Sequence, residues 1–205
     1  MQDLVEEVVA VAGHDLELLR PRDSEALLSE AAFEHEEFLP YWAELWPSAL
    51  ALAQAIGSRA LHGARTLELG CGLGLPSLAA ARAGGRVLAT DWAPDAVALL
   101  ARNAERNDIA LDTLVCSWSE PAALLEQAPW DVVLASDVLY EARNGEALAP
   151  LLPRLLAPHG EIWLADPGRP AAAAFFTAIA DAFDDEPRPA AQLPSGAVHR
   201  LRRRG

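Results

Sequence analysis

Three glycines, Gly70, Gly72 and Gly74, follow a short apolar run in LELGCGLGLPSLAAA and precede a helical pattern. Glycines at a strand-to-helix turn let the backbone bend sharply and let a ligand approach main-chain N–H groups, which implies a nucleotide-type ligand. The spacing is G-x-G-x-G; a dinucleotide fingerprint needs a glycine at position 75, where Leu75 stands. Glu68, two residues before the first glycine, suits a cationic ligand better than a pyrophosphate. Asp91 ends the next apolar run, LATD, twenty-one residues after Gly70, where a carboxylate can accept both hydroxyls of a ribose. The plain alternative for the glycines is a tight strand–helix connection. For the acids it is helix capping, which fits the APDAV segment after Asp91 better than Asp91 itself.

Alternating strands and helices must hold these residues along one edge. The hydrophobic pattern predicts strand 65–69, helix 75–84, strand 86–90, helix 94–107, strand 111–116, a short helix near 121–128 and strand 131–136. A helical stretch broken by Pro150 and Pro153 follows, then strand 161–165, helix 170–183 and a last strand near 196–203. Short apolar strands at helical spacing make an α/β fold with a mostly parallel sheet covered on both faces. Ligands of such sheets bind at the C-terminal strand edge, which collects Ser117 and Trp118 after the third strand, Ser136 and Asp137 after the fourth, and Asp166 after the fifth. Trp118 either flanks a nucleobase or packs as a buried aromatic. Upstream, EEVVAVAGHDLELLRP reads as a hairpin. Residues 1–47 are expected to form an acidic N-terminal extension and 48–205 the main domain, together one globular unit.

The segment LPYWAELWP places Tyr41, Trp42 and Trp46 between Pro40 and Pro47, just before the helix pattern SALALAQAIG. It is either the wedge that docks that helix on a core or a wall over a bound ligand.

Composition narrows the function. The 205 residues are 52% hydrophobic, enough for a full core. The formal net charge is −14, and all sixteen cations are arginine; the chain has no lysine. Residues 1–44 hold twelve acids and two arginines, a field that repels nucleic-acid phosphates and attracts basic surfaces or cationic substrates, or simply confers solubility. The two cysteines, Cys71 and Cys116, match no zinc or redox spacing, and five scattered histidines form no ligand cluster, so no metal is expected. Nor is a membrane span: the longest apolar runs are too short, and MQDLVEEVVA has acids where a signal peptide carries positive charge. A cytoplasmic protein, with a monomer favoured, is the expectation.

Taken together, LELGCGLGLP, LATD, VCSWSEP, SDVLY and DPGRP resemble a class I S-adenosylmethionine-dependent methyltransferase over roughly residues 38–180. The resemblance implies a Rossmann-like seven-stranded sheet. It puts Gly70, Gly72 and Gly74 around the methionine part of the cofactor, Glu68 near the glycine loop, Asp91 on the ribose, and Trp118 beside the adenine. Trp92, Ser117 and Ser136 complete the expected cofactor set. More narrowly, PYWAELWPSALALA, SDVLY and DPGRP look like the family-16 seven-β-strand methyltransferases, many of which modify protein lysines. They look most like the branch that methylates lysines of the electron transfer flavoprotein β-subunit. In that arrangement Trp42 or Trp46 is expected to line the cofactor or lysine pocket, while the other, with Tyr41, packs the following helix.

Lysine chemistry gives the remaining motif residues work. Methyl transfer is an in-line displacement that needs a nucleophile held within about 3–3.5 Å of the methyl carbon, so positioning is the main task. Lysine has an ordinary pKa of about 10.4, so at neutral pH roughly one in a few thousand carries the needed lone pair. Asp137 is expected to orient or attract the amine, and Tyr140 to supply an oxygen and an aromatic face. Asp166 either borders the substrate opening or caps a loop, and Arg169 either pairs with a substrate acid or fixes that loop. Cys71 reads as a small filler. Two other functions fit the same motifs: methylation of a small amine, and a cofactor-binding module without catalysis.

Overall fold

The computed structural model describes residues 3–24, 27 and 40–205. Leu39 and the acids Glu25, Glu30, Glu34, Glu36 and Glu37 of the N-terminal region lie outside the described residues. The chain begins with the expected hairpin, β1 (Leu4–Val11) and β2 (His14–Pro21). A single 3-10 turn at Tyr41–Ala43 leads into α1 (Pro47–Gly57). The alternating body follows as β3 (Arg65–Leu69), α2 (Leu75–Arg82), β4 (Arg86–Asp91), α3 (Pro94–Arg106), β5 (Asp112–Val115), α4 (Ala122–Glu126) and β6 (Trp130–Ser136). It ends with α5 (Ala142–Leu155), β7 (Leu156–Asp166), α6 (Ala172–Ile179), β8 (Phe183–Arg188) and β9 (Ala197–Arg203).

The seven strands β3–β9 form one sheet in the order β5-β4-β3-β6-β7-β9-β8. β9 alone runs against its neighbours, slotted between β7 and β8. Strand order reverses between β3 and β6, and that crevice at the C-terminal strand ends is where a doubly wound sheet binds ligand. Apolar cores cover both faces: α1, α2 and the hairpin pack on one, α5 and α6 on the other. β3 shows the alternation, with Leu67 and Leu69 in the second core while Glu68 meets Ser77 of α2 on the opposite face.

Two elements depart from the sequence reading. The stretch expected to break at Pro150 and Pro153 is one helix, α5, with both prolines inside it. An interior proline costs about 3 kcal/mol. Leu148, Leu151, Leu152 and Leu155 form a stripe that is almost wholly buried, and each buried leucine returns about 1.5–3 kcal/mol. The helix expected over 170–183 stops at Ile179, because residues from Phe183 form an additional edge strand, β8.

The hairpin joins the body through amide side chains. Asn103 of α3 accepts from Leu19 N (2.7 Å) and donates to Leu19 O (3.1 Å). Asn107 repeats this with Glu17 N (2.9 Å) and Glu17 O (2.7 Å). Four helical residues rise about 6 Å and two strand residues about 6.8 Å, so asparagines at i and i+4 can serve alternate residues of β2 as a neighbouring strand would. On α1, Gln54 donates to Ala10 O and accepts from Ala12 N, both at 2.8 Å.

Candidate active site

The strand-order reversal opens into a cleft of about 240 Å³ at the C-terminal ends of β3, β4 and β6. Gly70, Gly72 and Gly74 form its floor in left-handed backbone. A side chain at Gly70 would run into Trp118 Cζ2 at 3.2 Å and Val138 Cγ1 at 3.1 Å, and one at Gly72 into the Trp42 carbonyl at 3.2 Å. Glycine therefore lets the loop pack closely against Trp118, Val138 and the Trp42 main chain.

Asp91 closes one side. Its Oδ2 accepts from Gly72 N and its Oδ1 from Ala93 N, each at 3.0 Å, which ties the loop to the end of β4. Burial pushes its carboxyl above the ordinary value, opposed by these main-chain donors. Trp92 and Trp118 line the same end.

The other end is built on Asp137, held at φ +56° where β6 stops, with its N–H on Ala165 O at 2.9 Å. Arg169 Nε and Nη2 both reach Asp137 Oδ1, at 2.9 and 2.8 Å, and Ser48 Oγ donates to Oδ2 at 3.2 Å. Arg169 is itself placed by Asp166, whose Oδ1 accepts from the Gly168 and Arg169 N–H groups, both at 2.8 Å. Its guanidinium lies 5.7 Å from the Trp46 ring centroid. Trp46 Nε1 donates to Tyr41 O at 2.8 Å, and the Tyr41 and Tyr140 rings stand 5.2 Å apart. Burial pushes the Tyr140 phenol up, so it carries its proton at neutral pH.

Most residues singled out from the sequence converge here: Trp42, Trp46, the three glycines, Asp91, Trp92, Trp118, Ser136, Asp137 and Tyr140 all line the cleft, as does Arg169. Three do not. Glu68 is wholly buried beneath the loop against Ser77, its carboxyl raised to about 8 by burial, and one of its oxygens, Oε1, has no hydrogen-bond partner among the described residues. Ser117 faces outward and pairs with Ser119 Oγ at 2.8 Å. Asp166 braces the turn that carries Arg169 and does not border an opening. Tyr41, Trp42 and Trp46 all line the cleft, including those expected to pack the following helix. Sequence reasoning missed Ser48, whose partner is 89 positions away. Burial pushes the Cys71 thiol well above its ordinary value, as suits a filler rather than a nucleophile.

A profile for a family described as lysine methyltransferase matches residues 36–182. The chain belongs to this family. Among curated proteins it is similar to the electron transfer flavoprotein beta subunit lysine methyltransferase of Xenopus laevis, 34% identical over 63% of this chain and 53% of the relative. It is also similar to a histone-arginine methyltransferase of Xenopus laevis, 32% identical over 60% of this chain and 56% of the relative. The chain thus spans about half the length of the curated relatives it matches. Among solved structures, the Thermus thermophilus 16S rRNA N2 G1207 methyltransferase in complex with AdoMet and guanosine superposes with a TM-score of 0.72 at 19% identity. That match covers 100% of this chain and 52% of the other. Lysine methyltransferase family membership and the seven-stranded sheet agree with the expected fold.

Proposed function

We propose that the chain is an S-adenosylmethionine-dependent methyltransferase that modifies lysine side chains of a protein partner, with the electron transfer flavoprotein β-subunit as first candidate. The observation that carries the reading is the cleft itself. One wall is a glycine cradle with a buried carboxylate, the other an aromatic pocket around Asp137. The residues fit the cofactor, because three glycines in left-handed backbone line the cleft beside the buried Asp91 carboxylate. Asp91 would hold the ribose, Trp92 and Trp118 the adenine, and the glycine loop the methionine part. When bound, S-adenosylmethionine supplies a methyl group on a sulfonium, an electrophile that asks no covalent help of the protein.

The chain's own residues position the acceptor. Ser48 and Arg169 fix the Asp137 carboxylate, and Tyr41, Trp46 and Tyr140 line the same cleft with aromatic rings. The Asp137–Arg169 pair is formally neutral, so it can orient an amine without retaining the ammonium form as a lone carboxylate would. One observation favours a second reading. The chain is also similar to a histone-arginine methyltransferase, which makes an arginine side chain the alternative acceptor.

Two measurements test these statements. Radiolabelled S-adenosylmethionine is incubated with the protein and purified flavoprotein β-subunit, and in parallel with core histones; mass spectrometry then assigns the label. Label on flavoprotein lysine is expected, and self-labelling on lysine cannot contribute because the chain has none. Label on histone arginine alone selects the second reading, and label confined to small amines of an added lysate selects a small-molecule acceptor. In the second measurement, Asp91→Asn is expected to weaken S-adenosylhomocysteine binding about tenfold, since a charge-assisted hydrogen bond contributes roughly 1.5–3 kcal/mol. A folded variant with wild-type affinity by calorimetry would remove Asp91 from the site.

A further inference from the structure

The N-terminal hairpin lies outside the segment that the family profile matches, residues 36–182, yet it packs with residues that line the cleft. The link is Asn103. This side chain is fully buried on α3 and uses both of its N–H donors, one on Leu19 O of β2 (3.1 Å) and one on Leu73 O of the glycine loop (3.3 Å). Its oxygen takes the Leu19 N–H (2.7 Å). One amide therefore joins helix, hairpin and cofactor loop. An apolar cluster repeats the connection: Leu19 of the hairpin packs with Leu73 of the loop and Leu99 of α3, and Leu4, Trp42 and Leu45 pack against them. Leu73 and Trp42 both line the cleft, and the Trp42 carbonyl is what a Cβ at Gly72 would strike.

We propose that the β1–β2 hairpin is a working part of the cofactor site, and that Asn103 is a positioning residue through which the hairpin fixes the glycine loop against the Trp42 wall. The proposal rests on the reading of this cleft as a cofactor site. A loop of three glycines in left-handed backbone has much conformational entropy to lose on ordering. A carbonyl anchored by a buried donor and a leucine wedged against the hairpin remove that freedom before ligand arrives. The loop's cradle is then already shaped, and binding does not have to order it. Asn107 provides an internal comparison, because it holds Glu17 of the hairpin and the Asn103 carbonyl (2.7 Å) but does not touch the loop.

The test compares Asn103→Ala, Asn107→Ala and Leu19→Ala in the full chain. Hydrogen exchange is followed by mass spectrometry in the ligand-free protein over residues 70–78, 40–46 and 14–21, and S-adenosylhomocysteine affinity is measured by calorimetry. Asn103→Ala is expected to speed exchange over 70–78 and 40–46 as well as 14–21, and to weaken binding about tenfold, the effect of losing a buried hydrogen bond. Asn107→Ala is expected to speed exchange chiefly over 14–21, with a smaller loss of affinity. Faster exchange in the hairpin alone, with loop exchange and affinity unchanged in Asn103→Ala, would overturn the proposal. Should Asn103→Ala not fold, Leu19→Ala decides: it keeps the main-chain bonds to Asn103 and removes the side chain that packs with Leu73 and Leu99. Unchanged loop exchange in it would likewise reject the role. If the wild-type protein fails to bind S-adenosylhomocysteine, the cofactor reading falls, and the ligand-free exchange comparison still decides whether the hairpin holds the loop.

Discussion

Replacing Asp137 with asparagine is expected to lower turnover about a hundredfold while leaving S-adenosylhomocysteine affinity and folding close to wild type, the scale on which a misplaced or uncharged orienting group acts. Asparagine is the informative substitution because it tolerates the left-handed backbone at this position, φ +56°, and keeps the side-chain volume. Asparagine keeps one of the two oxygens, so Arg169 retains an acceptor while the new NH2 faces Ser48 Oγ, and the charge that strengthens these bonds is gone. The cofactor end of the cleft is untouched, since Asp91 and the glycine loop make their own bonds. Steady-state rates at saturating cofactor, calorimetry and a melting curve check the three parts separately. Turnover within about threefold of wild type would show that the aromatic walls alone position the acceptor. A matching loss of cofactor affinity would show instead that Asp137 serves the cofactor.

The second large effect is on stability and comes from Glu68. The folded protein holds this proton up to about pH 8, whereas the ordinary carboxyl value is 4.5; burial is the main cause, and the Ser77 hydrogen bonds only partly oppose it. Between these two values the folded state binds more protons than the unfolded chain, so stability falls as pH rises, by at most about 1.4 kcal/mol per unit. Above pH 8 both states are ionised and the whole penalty, roughly 3–5 kcal/mol, is present. Glu68→Gln mimics the protonated side chain. Its urea midpoint should match wild type near pH 5 and exceed it clearly at pH 9. Parallel pH profiles for the two proteins would mean that Glu68 ionises freely in the folded state.

The sheet was readable because its inner strands are nearly continuous apolar runs separated by helical spacing, and the hairpin because two such runs flank Ala12-Gly13. β8 was not, because FDDEPR is an edge strand whose acids and proline suit an exposed margin and carry no apolar run. Continuity of α5 was hidden by its prolines, since their local penalty is visible in sequence and the burial that offsets it is not. At the site, glycine spacing and strand-end acids located the cleft, but they could not say which acid faces it. Glu68 and Asp166 both end up serving backbone or helix partners, because the pleat of a strand and the turn after it decide orientation. The Asp137–Arg169 pair spans 32 positions and the Asn103–Leu19 pair 84, and no local pattern encodes either.

The position of β9 has a consequence for the order in which the molecule can be assembled. This strand supplies the partner for both β7 and β8, and its Leu201 is fully buried in the second core. Every residue of β7 and β8 is made before β9, so β7 keeps a bare edge until residues 197–203 have followed and docked. Trp163 and Leu164 of β7, almost wholly buried in the finished protein, then depend on a partner that arrives more than thirty residues later. Non-local pairing of this kind is slow and leaves an unpaired edge open to association with other chains. Completion of this sheet therefore waits on β9, and until that strand docks the β7 edge is open to other chains.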